Sequence, residues 1–394
     1  MATQGPSPTI KAGISASLSG QFQTQGRQAL AGLQAWVDDV NRSGGIRVGR
    51  MHQAGRRLEL VHYDDGSLAA GAAEATRRLL EEHGVELIFG PYSSGLARAA
   101  AEVTAERHQV MWNHGGADAM NRPGRRVVNI LTGARHYLLT LPRLVRSADS
   151  SVSSFAIVRC SAGAFSRSVS EGLGAEARRR GFSQVMYQEF PPCQSDFSSL
   201  ADEIIRANPD LLLVVGRIRH DIAIARSLVN RWKRQPSSRP AATAVVAAGI
   251  ARFGAELGGD AEGFIAPSQW EPPAPEACGQ LPGPYFGPSP AQVLKSLSRA
   301  GEAAGGLPVD YPMAQAYAAG LVAERCVLEA GSLDAAALWK AAGELEFHTF
   351  FGRFKILPSI GWQAGHSMPL VQWQQGRKVV IWPPAQQSGS IILY

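Results

Sequence analysis

Several patterns are missing from this chain, and each absence removes a class of function. No apolar run approaches the roughly 18 residues needed to span a bilayer. The longest candidates, Leu211–Gly216 and Ala241–Gly249, have the length of buried strands. Cysteine is scarce: Cys160, Cys193, Cys278 and Cys326 form no Cys-Xaa-Xaa-Cys pair and have no histidine at metal-ligand spacing, so no metal site is expected. The dinucleotide fingerprint Gly-Xaa-Gly-Xaa-Xaa-Gly and the P-loop are absent, and no Gly-Xaa-Ser-Xaa-Gly elbow stands at a strand–helix turn. No catalytic residue and no cofactor are therefore assigned, and the chain is not expected to be an enzyme. Charge is sparse at 18% of residues, with 39 Lys and Arg against 33 Asp and Glu, a net +6. Arginines are scattered in clusters at 178–180, 217–219 and 231–234, with no basic stripe interleaved with aromatics; they read as solvated helix ends, and nucleic acid is not an expected partner.

What is present is a globular composition. The 394 residues, 45% of them hydrophobic, suit two domains of ordinary size. Residues 1–8, Met-Ala-Thr-Gln-Gly-Pro-Ser-Pro, have neither a basic n-region nor an apolar h-region. They read as a leader remnant, which leaves either a cytosolic protein or one whose secretion signal has been removed.

Strands and helices alternate along the chain. Ile10–Ser17 reads as a strand, Gln28–Asn41 as a helix with Leu30, Leu33, Val37 and Val40 at helical spacing, Arg57–Tyr63 as a strand and Ala69–His83 as a helix. Strand Glu86–Phe89, helix Leu96–Arg107 and strand Gln109–Asn113 follow. The pattern restarts with strand Ser154–Arg159, helix Ser166–Arg180, strand Gln184–Phe190, helix Phe197–Ala207, strand Asp210–Val215, helix Ile222–Trp232 and strand Thr243–Ala248. Such alternation predicts two α/β lobes, each a doubly wound parallel sheet covered by helices on both faces. Trp270–Pro290 is rich in Pro and Gly and reads as an irregular connection, with helices returning at Pro290–Ala304 and Pro312–Ala330. From Gly352 to Trp382 the alternation is that of antiparallel strands, with Gln374-Gln375-Gly376-Arg377 as a hairpin turn.

Open parallel sheets bind ligands beyond the carboxyl ends of their strands. The loops in that position are 19–26, 92–95, 114–118, 160–165, 217–221 and 248–252. Several are short and rich in Gly or Ser, so backbone N–H groups can approach a ligand, and helix N-termini there favour an anion.

A family resemblance now becomes specific. Leu18-Ser19-Gly20, Val40-Asn41-Arg42-Ser43-Gly44-Gly45-Ile46 and Tyr63-Asp64-Asp65 resemble the leucine/isoleucine/valine-binding proteins. So do Phe89-Gly90-Pro91-Tyr92-Ser93-Ser94, Gly115-Gly116-Ala117, Gly258-Gly259-Asp260-Ala261-Glu262-Gly263, Ala316-Tyr317-Ala318-Ala319-Gly320 and the tail from Thr349-Phe350-Phe351-Gly352 to Leu370–Pro383. The order of these motifs covers nearly the whole chain. The resemblance implies a type I periplasmic binding protein fold: two lobes, three crossovers, and a small ligand closed in a cleft. The lobes fall at 9–135 with 270–347, and at 136–269 with 348–394. It implies a monomeric periplasmic solute-binding protein whose partner is the membrane permease of an ABC importer. The alternative is a cytoplasmic ligand sensor regulating a partner protein, as the related amide-binding regulators do.

Carried over by motif, the resemblance makes Ser94 a hydrogen-bond partner of the ligand and Tyr92 a cleft tyrosine, with Ser93 between them. Gly115, Gly116 and Ala117 supply backbone amides. Phe165, Phe22, Gln25 and Arg217 stand where cleft residues lie, and Ala248 falls where leucine-binding members carry an acidic residue that pairs with the α-ammonium. Structural readings stay open for several: Ser94 as cap of a helix from Leu96, Gly115-Gly116 as a turn, Phe165 as core packing, Arg217 as a solvated helix start. His114 reads as structural and Asp64-Asp65 as a turn. Cys160 and Cys193 end neighbouring strands, which leaves a disulfide open. With no carboxylate at 248–250, branched-chain amino acids are expected to bind poorly, because a buried ammonium without an acceptor is costly. A carboxylate or amide without an α-ammonium is expected instead.

Overall fold

A computed structural model describes residues 9–49, 54–118, 124–272 and 283–394; Cys278 lies outside them. In chain order the elements are β1 (Ile10–Ala16), α1 (Gln23–Arg42), β2 (Leu58–Asp64), α2 (Ala69–Glu81), β3 (Leu87–Phe89), α3 (Ser94–Glu106), β4 (Val110–Asn113), β5 (Arg126–Asn129), α4 (Leu141–Ala148), β6 (Ser154–Cys160), α5 (Ala164–Arg179), β7 (Ser183–Phe190), α6 (Ser198–Ala207), β8 (Leu211–Val215), α7 (Ile218–Trp232), β9 (Ala242–Val245), α8 (Ala251–Leu257) and β10 (Phe264–Pro267). Then come α9 (Pro290–Ala303), α10 (Tyr311–Ala330), α11 (Ala335–Glu344), β11 (Phe347–Thr349), β12 (Gly352–Phe354), β13 (Ile356–Leu357), β14 (Trp362–Gln363), β15 (Leu370–Gln374) and β16 (Arg377–Trp382).

The chain divides into two units, Met1–Gly133 with Pro275–Ser367, and Ala134–Ala274 with Met368–Tyr394. The last division differs from the sequence-based one at 347/348. Residues 348–367 stay with the first unit because they form two small hairpins, β11–β12 and β13–β14, and Asn129 at the end of β5 bonds Gly361 through both its backbone N–H and its Nδ2.

The first unit holds a five-stranded parallel sheet in the order β2-β1-β3-β4-β5. The short strands β3 and β4 are buried at every position, as strands covered on both faces must be. Leu79, Ile88, Ala97, Ala101, Met111 and Val127 form the core under α2 and α3. On α1, Trp36 meets Phe89 of β3 edge-on at 5.7 Å. Helix α10 is apolar almost all round, so it is buried nearly throughout, and it packs along α1.

The second unit holds a seven-stranded sheet in the order β16-β15-β10-β9-β8-β6-β7. Strands β6 to β10 are parallel, and β15 and β16 add an antiparallel hairpin at one edge. The turn places Gln375 at φ 52° and Gly376 at φ 75°, the left-handed pair that a two-residue hairpin loop requires. Strand β8 is five apolar residues, all buried, inside the sheet between β9 and β6.

Several helices begin earlier than their apolar spacing suggests. Helix α1 starts at Gln23 rather than Gln28, α3 at Ser94 rather than Leu96, α5 at Ala164 rather than Ser166, and α7 at Ile218 rather than Ile222. The expected loop residues Gln25, Ser94 and Phe165 thus stand in first helical turns.

Candidate functional site

In the first unit the strand order reverses at β1 and β3, so the loops after these strands leave a crevice at the carboxyl edge of the sheet. The β1–α1 loop is suspended from the end of β2. Ser15 Oγ and Ser17 Oγ donate to the Asp65 carboxylate at 3.1 and 2.6 Å. The Leu18 N–H and Ser19 Oγ donate to Asp64 at 2.9 and 2.7 Å. Ser67 Oγ donates to the Ser19 carbonyl at 2.6 Å and accepts the Phe22 N–H at 3.1 Å. Asp64-Asp65 therefore does more than end a strand. Burial pushes Asp65 above the ordinary carboxylate range; at Asp64 slight burial acts the same way but is outweighed by hydrogen bonds from Gly66, Ser19 and Leu18, which hold it below.

The second wall of this crevice is the β3–α3 turn. The Phe22 ring meets Tyr92 edge-on at 5.9 Å, and the Tyr92 hydroxyl lies 2.8 Å from that of Tyr311 at the start of α10. Burial pushes the Tyr92 phenol up to about 12. Ser93, with φ 91°, caps α3 by accepting the Leu96 N–H at 3.5 Å, and its own N–H donates to the Gly115 carbonyl at 2.9 Å. Ser94 is not the cap: its Oγ accepts the Asp118 N–H at 3.1 Å, which ties α3 to the loop after β4. That loop is itself folded on Asn113, whose side chain donates to the Gly116 carbonyl at 2.8 Å and accepts the Gly116 N–H at 3.0 Å. The Gly116 amide is thus spent inside the loop. The Gly115 and Ala117 N–H groups have no hydrogen-bond partner among the described residues. His114 is fully buried, and burial pulls its imidazole down to about 4, so it is neutral at physiological pH and fits the structural reading.

In the second unit the order reverses at β6 and β8. Phe165, in the first turn of α5, is half-buried rather than core, and meets Tyr137 edge-on at 5.5 Å. The Tyr137 hydroxyl accepts Gln269 Nε2 at 3.0 Å. Arg217 stands exposed at the start of α7; its N–H donates to His220 Nδ1 at 3.3 Å, and its guanidinium has no ion-pair partner among the described residues. Asp221 is buried and accepts the N–H groups of Gly216 at 2.6 Å and Ala247 at 3.0 Å, which joins the loops after β8 and β9. Burial pushes its carboxyl up to about 7 against these two bonds.

The structure brings Phe22, Tyr92, Ser93, Ser94 and the loop 115–118 together in the first unit, and places Phe165 and Arg217 at helix starts of the second. Ala248 is fully buried, and its carbonyl accepts Trp373 Nε1 at 2.8 Å. Cys160 and Cys193 are both free, the first buried and the second exposed, and no disulfide joins them. Tyr137, Gln269 and Tyr311 were missed. Tyr311 stands just before the Pro at the second position of α10, a helix-start signal that drew attention to the helix rather than to the hydroxyl. Two carboxylates are already paired, Asp118 with Arg98 at 2.8 Å and Glu271 with Lys378 at 2.7 Å in a largely buried bridge.

Comparison with known proteins agrees with this architecture. Over 229 residues the chain is 26% identical to the Leu/Ile/Val-binding protein BraC3 of Rhizobium johnstonii, a match covering 56% of this chain and 58% of that one. The chain spans between half and three fifths of the length of such curated relatives. Among solved structures, a putative branched-chain amino acid ABC transporter protein from Silicibacter pomeroyi superposes with a TM-score of 0.79 at 16% identity, covering 98% of this chain and 99% of that one. A solute-binding protein of an R. palustris ABC transporter, in complex with 4-hydroxybenzoate, superposes with a TM-score of 0.76 at 16% identity, covering 98% and 97%. These likenesses establish the type I fold. A family model matches residues 9–378, and the chain belongs to the periplasmic binding proteins, a family of non-enzymatic solute-binding proteins.

Proposed function

We propose that this chain is the periplasmic solute-binding component of an ABC importer, and that its ligand is a small carboxylate without an α-ammonium, carried on an aromatic or aliphatic body. The observation that carries the reading is the pairing of Asp118 with Arg98 and of Glu271 with Lys378. Ala248 supplies no carboxylate, Asp118 and Glu271 are each neutralised by their own cation, and Asp221 is already held by two backbone N–H groups. An unpartnered ammonium taken out of water costs several kcal/mol. The exposed Arg217 and the free N–H groups of Gly115 and Ala117 favour an anion instead. Each unit taken by itself presents an aromatic pair, Phe22 with Tyr92 in the first and Phe165 with Tyr137 in the second, and such a pair suits an aromatic body. The 4-hydroxybenzoate complex of the R. palustris relative supports this ligand class, and the Leu/Ile/Val-binding relatives supply the competing one.

Titration calorimetry with leucine, isoleucine and valine beside benzoate and 4-hydroxybenzoate tests the reading. The aromatic carboxylates are expected to bind and the amino acids to bind at least tenfold more weakly. Micromolar or tighter binding of leucine would sink it.

A further inference from the structure

Strands β4 and β5 both end in asparagine. Asn113 and Asn129 are partners in the parallel register, and both are buried. Two carboxamides taken out of water are costly unless their polar atoms are met. Here they are met by each other and by two backbone carbonyls and two N–H groups. Asn113 Nδ2 donates to the Gly116 carbonyl at 2.8 Å and to Asn129 Oδ1 at 2.6 Å, while Asn113 Oδ1 accepts the Gly116 N–H at 3.0 Å. Asn129 Nδ2 donates to the Gly361 carbonyl at 2.9 Å, and the Asn129 N–H donates to the same oxygen at 3.0 Å.

This chain of bonds has a direction. A carbonyl only accepts, so Gly361 draws the amino end of Asn129 and leaves its oxygen for Asn113. Asn113 must then give its amino group to Asn129, and its oxygen is left for the Gly116 N–H. Turning either carboxamide over would set like atoms against one another. The anchor at Gly361 is held by its backbone: φ is 68°, and a Cβ there would run into the Val127 carbonyl oxygen, so the residue lies flush on β5. At the other end, Gly116 is tied through both its N–H and its carbonyl. The N–H groups of Gly115 and Ala117, on either side of it, are the ones without a partner among the described residues.

We infer that Asn129 is a positioning residue of the ligand site: it acts through Asn113 rather than on the ligand itself, and holds the loop that carries the Gly115 and Ala117 donors. The inference rests on the proposed function, which gives those donors to a carboxylate. It places a determinant of affinity on β5, outside the loops that follow the reversed strands.

A double-mutant cycle provides the test, read by calorimetry with 4-hydroxybenzoate and by amide hydrogen exchange. Asn129→Ala should weaken 4-hydroxybenzoate about tenfold and lower the protection of the Gly116 amide by a similar factor, with the fold retained. Asn113→Ala should do at least as much. The double variant should do no more than Asn113→Ala, because Asn129 acts through Asn113. Additive losses, or parent affinity in Asn129→Ala, overturn the inference while leaving the carboxylate reading intact. If a variant does not fold, NMR on the parent decides: titration with 4-hydroxybenzoate should shift the side-chain NH₂ signals of Asn113 and Asn129 together with the Gly115 and Ala117 amides, and unmoved Asn129 signals overturn it. If 4-hydroxybenzoate does not bind the parent, the carboxylate reading fails. The positioning of the loop is then judged by Gly116 exchange in the cycle: a non-additive loss sustains it, and an additive loss removes it.

Discussion

The turn from β3 into α3 and the turn from β6 into α5 adopt the same backbone shape with different residues. Ser93 stands at φ 91°, ψ 140° and Gly163 at φ 95°, ψ 143°, each immediately before its helix. A left-handed φ of this kind suits glycine, which occupies it in the second unit. In the first unit a serine occupies it, at a strain of order 1–3 kcal/mol. The serine gains a cap on α3 through its Oγ, and the position's N–H holds the Gly115 carbonyl. Gly163 has no side chain and α5 is uncapped. The first unit thus has a cross-braced pair of loops, and the second has an uncapped helix start.

The largest effect is expected where the brace is tightest. A Cβ on Gly115 would lie 2.4 Å from the Pro91 carbonyl oxygen and 2.6 Å from Tyr92 Cα. Both contacts are main chain, so the two loops must separate. Gly115→Ala should cost about 3 kcal/mol of stability and abolish ligand binding. Gly163→Ala meets no atom within 4 Å and should cost only about 1–2 kcal/mol, from backbone strain alone. Chemical denaturation of both variants checks this; equal losses would mean that the first unit is no more braced than the second.

Ser94→Ala is expected to come next. It removes a hydroxyl that can donate to a carboxylate, and leaves the Asp118 N–H unpaired. Ligand affinity should fall roughly tenfold to a hundredfold with the fold retained. Calorimetry with an aromatic carboxylate decides it, and parent-like affinity would remove Ser94 from the site.

The strands and their α/β alternation were legible in the sequence because apolar runs such as Leu211–Val215 have few alternatives to a central parallel strand. The candidate loops were legible from Gly and Ser at strand ends. The first turns of α1 and α5 were not, since the usual start signals are missing: Phe22 and Gly163 precede these helices where Ser, Thr or Asp would mark a cap. Helix α4, with Pro142 in its first turn, and α11, capped by Asp334, carry such signals and are absent from the sequence-based elements. Tyr137 and Gln269 meet only in the folded second unit, 132 positions apart in sequence, and no local pattern joins them.

A further difference lies in how each unit ties its loops to a carboxylate. The first unit uses Asp64 and Asp65 side by side, whereas the second uses the single buried Asp221. Burial raises Asp221 to about 7 in the folded chain, above the unfolded value of about 3.9. The folded state then holds this proton more tightly, so the contribution of Asp221 to stability is present below about pH 4 and is lost as pH rises toward 7. One pKa unit corresponds to about 1.4 kcal/mol. Glu324, also raised to about 7 by burial, acts in the same direction, while His114, lowered by burial, opposes. The test is therefore a difference: Asp221→Asn should flatten the stability profile over pH 4–7 relative to the parent. Parallel profiles would show that Asp221 titrates normally.

The smallest effects sharpen the opening comparison itself. Gly163→Ser copies the residue of the first turn into the second, where no loop carbonyl is known to receive the brace. It should cost about 1 kcal/mol, the strain less whatever the new hydroxyl recovers by capping α5. In the first unit, Ser93→Ala keeps the strain and loses the cap, whereas Ser93→Gly loses both. If strain and cap are of similar size, Ser93→Gly should lie within about 0.5 kcal/mol of the parent and Ser93→Ala about 1 kcal/mol below it. The Ser93 N–H is retained in both variants, so its bond to the Gly115 carbonyl and the loop brace should survive. Thermal denaturation orders the three variants. If Ser93→Ala proves as stable as the parent, the 3.5 Å contact to Leu96 is not a functioning cap, and the serine must be explained by the ligand rather than by the helix.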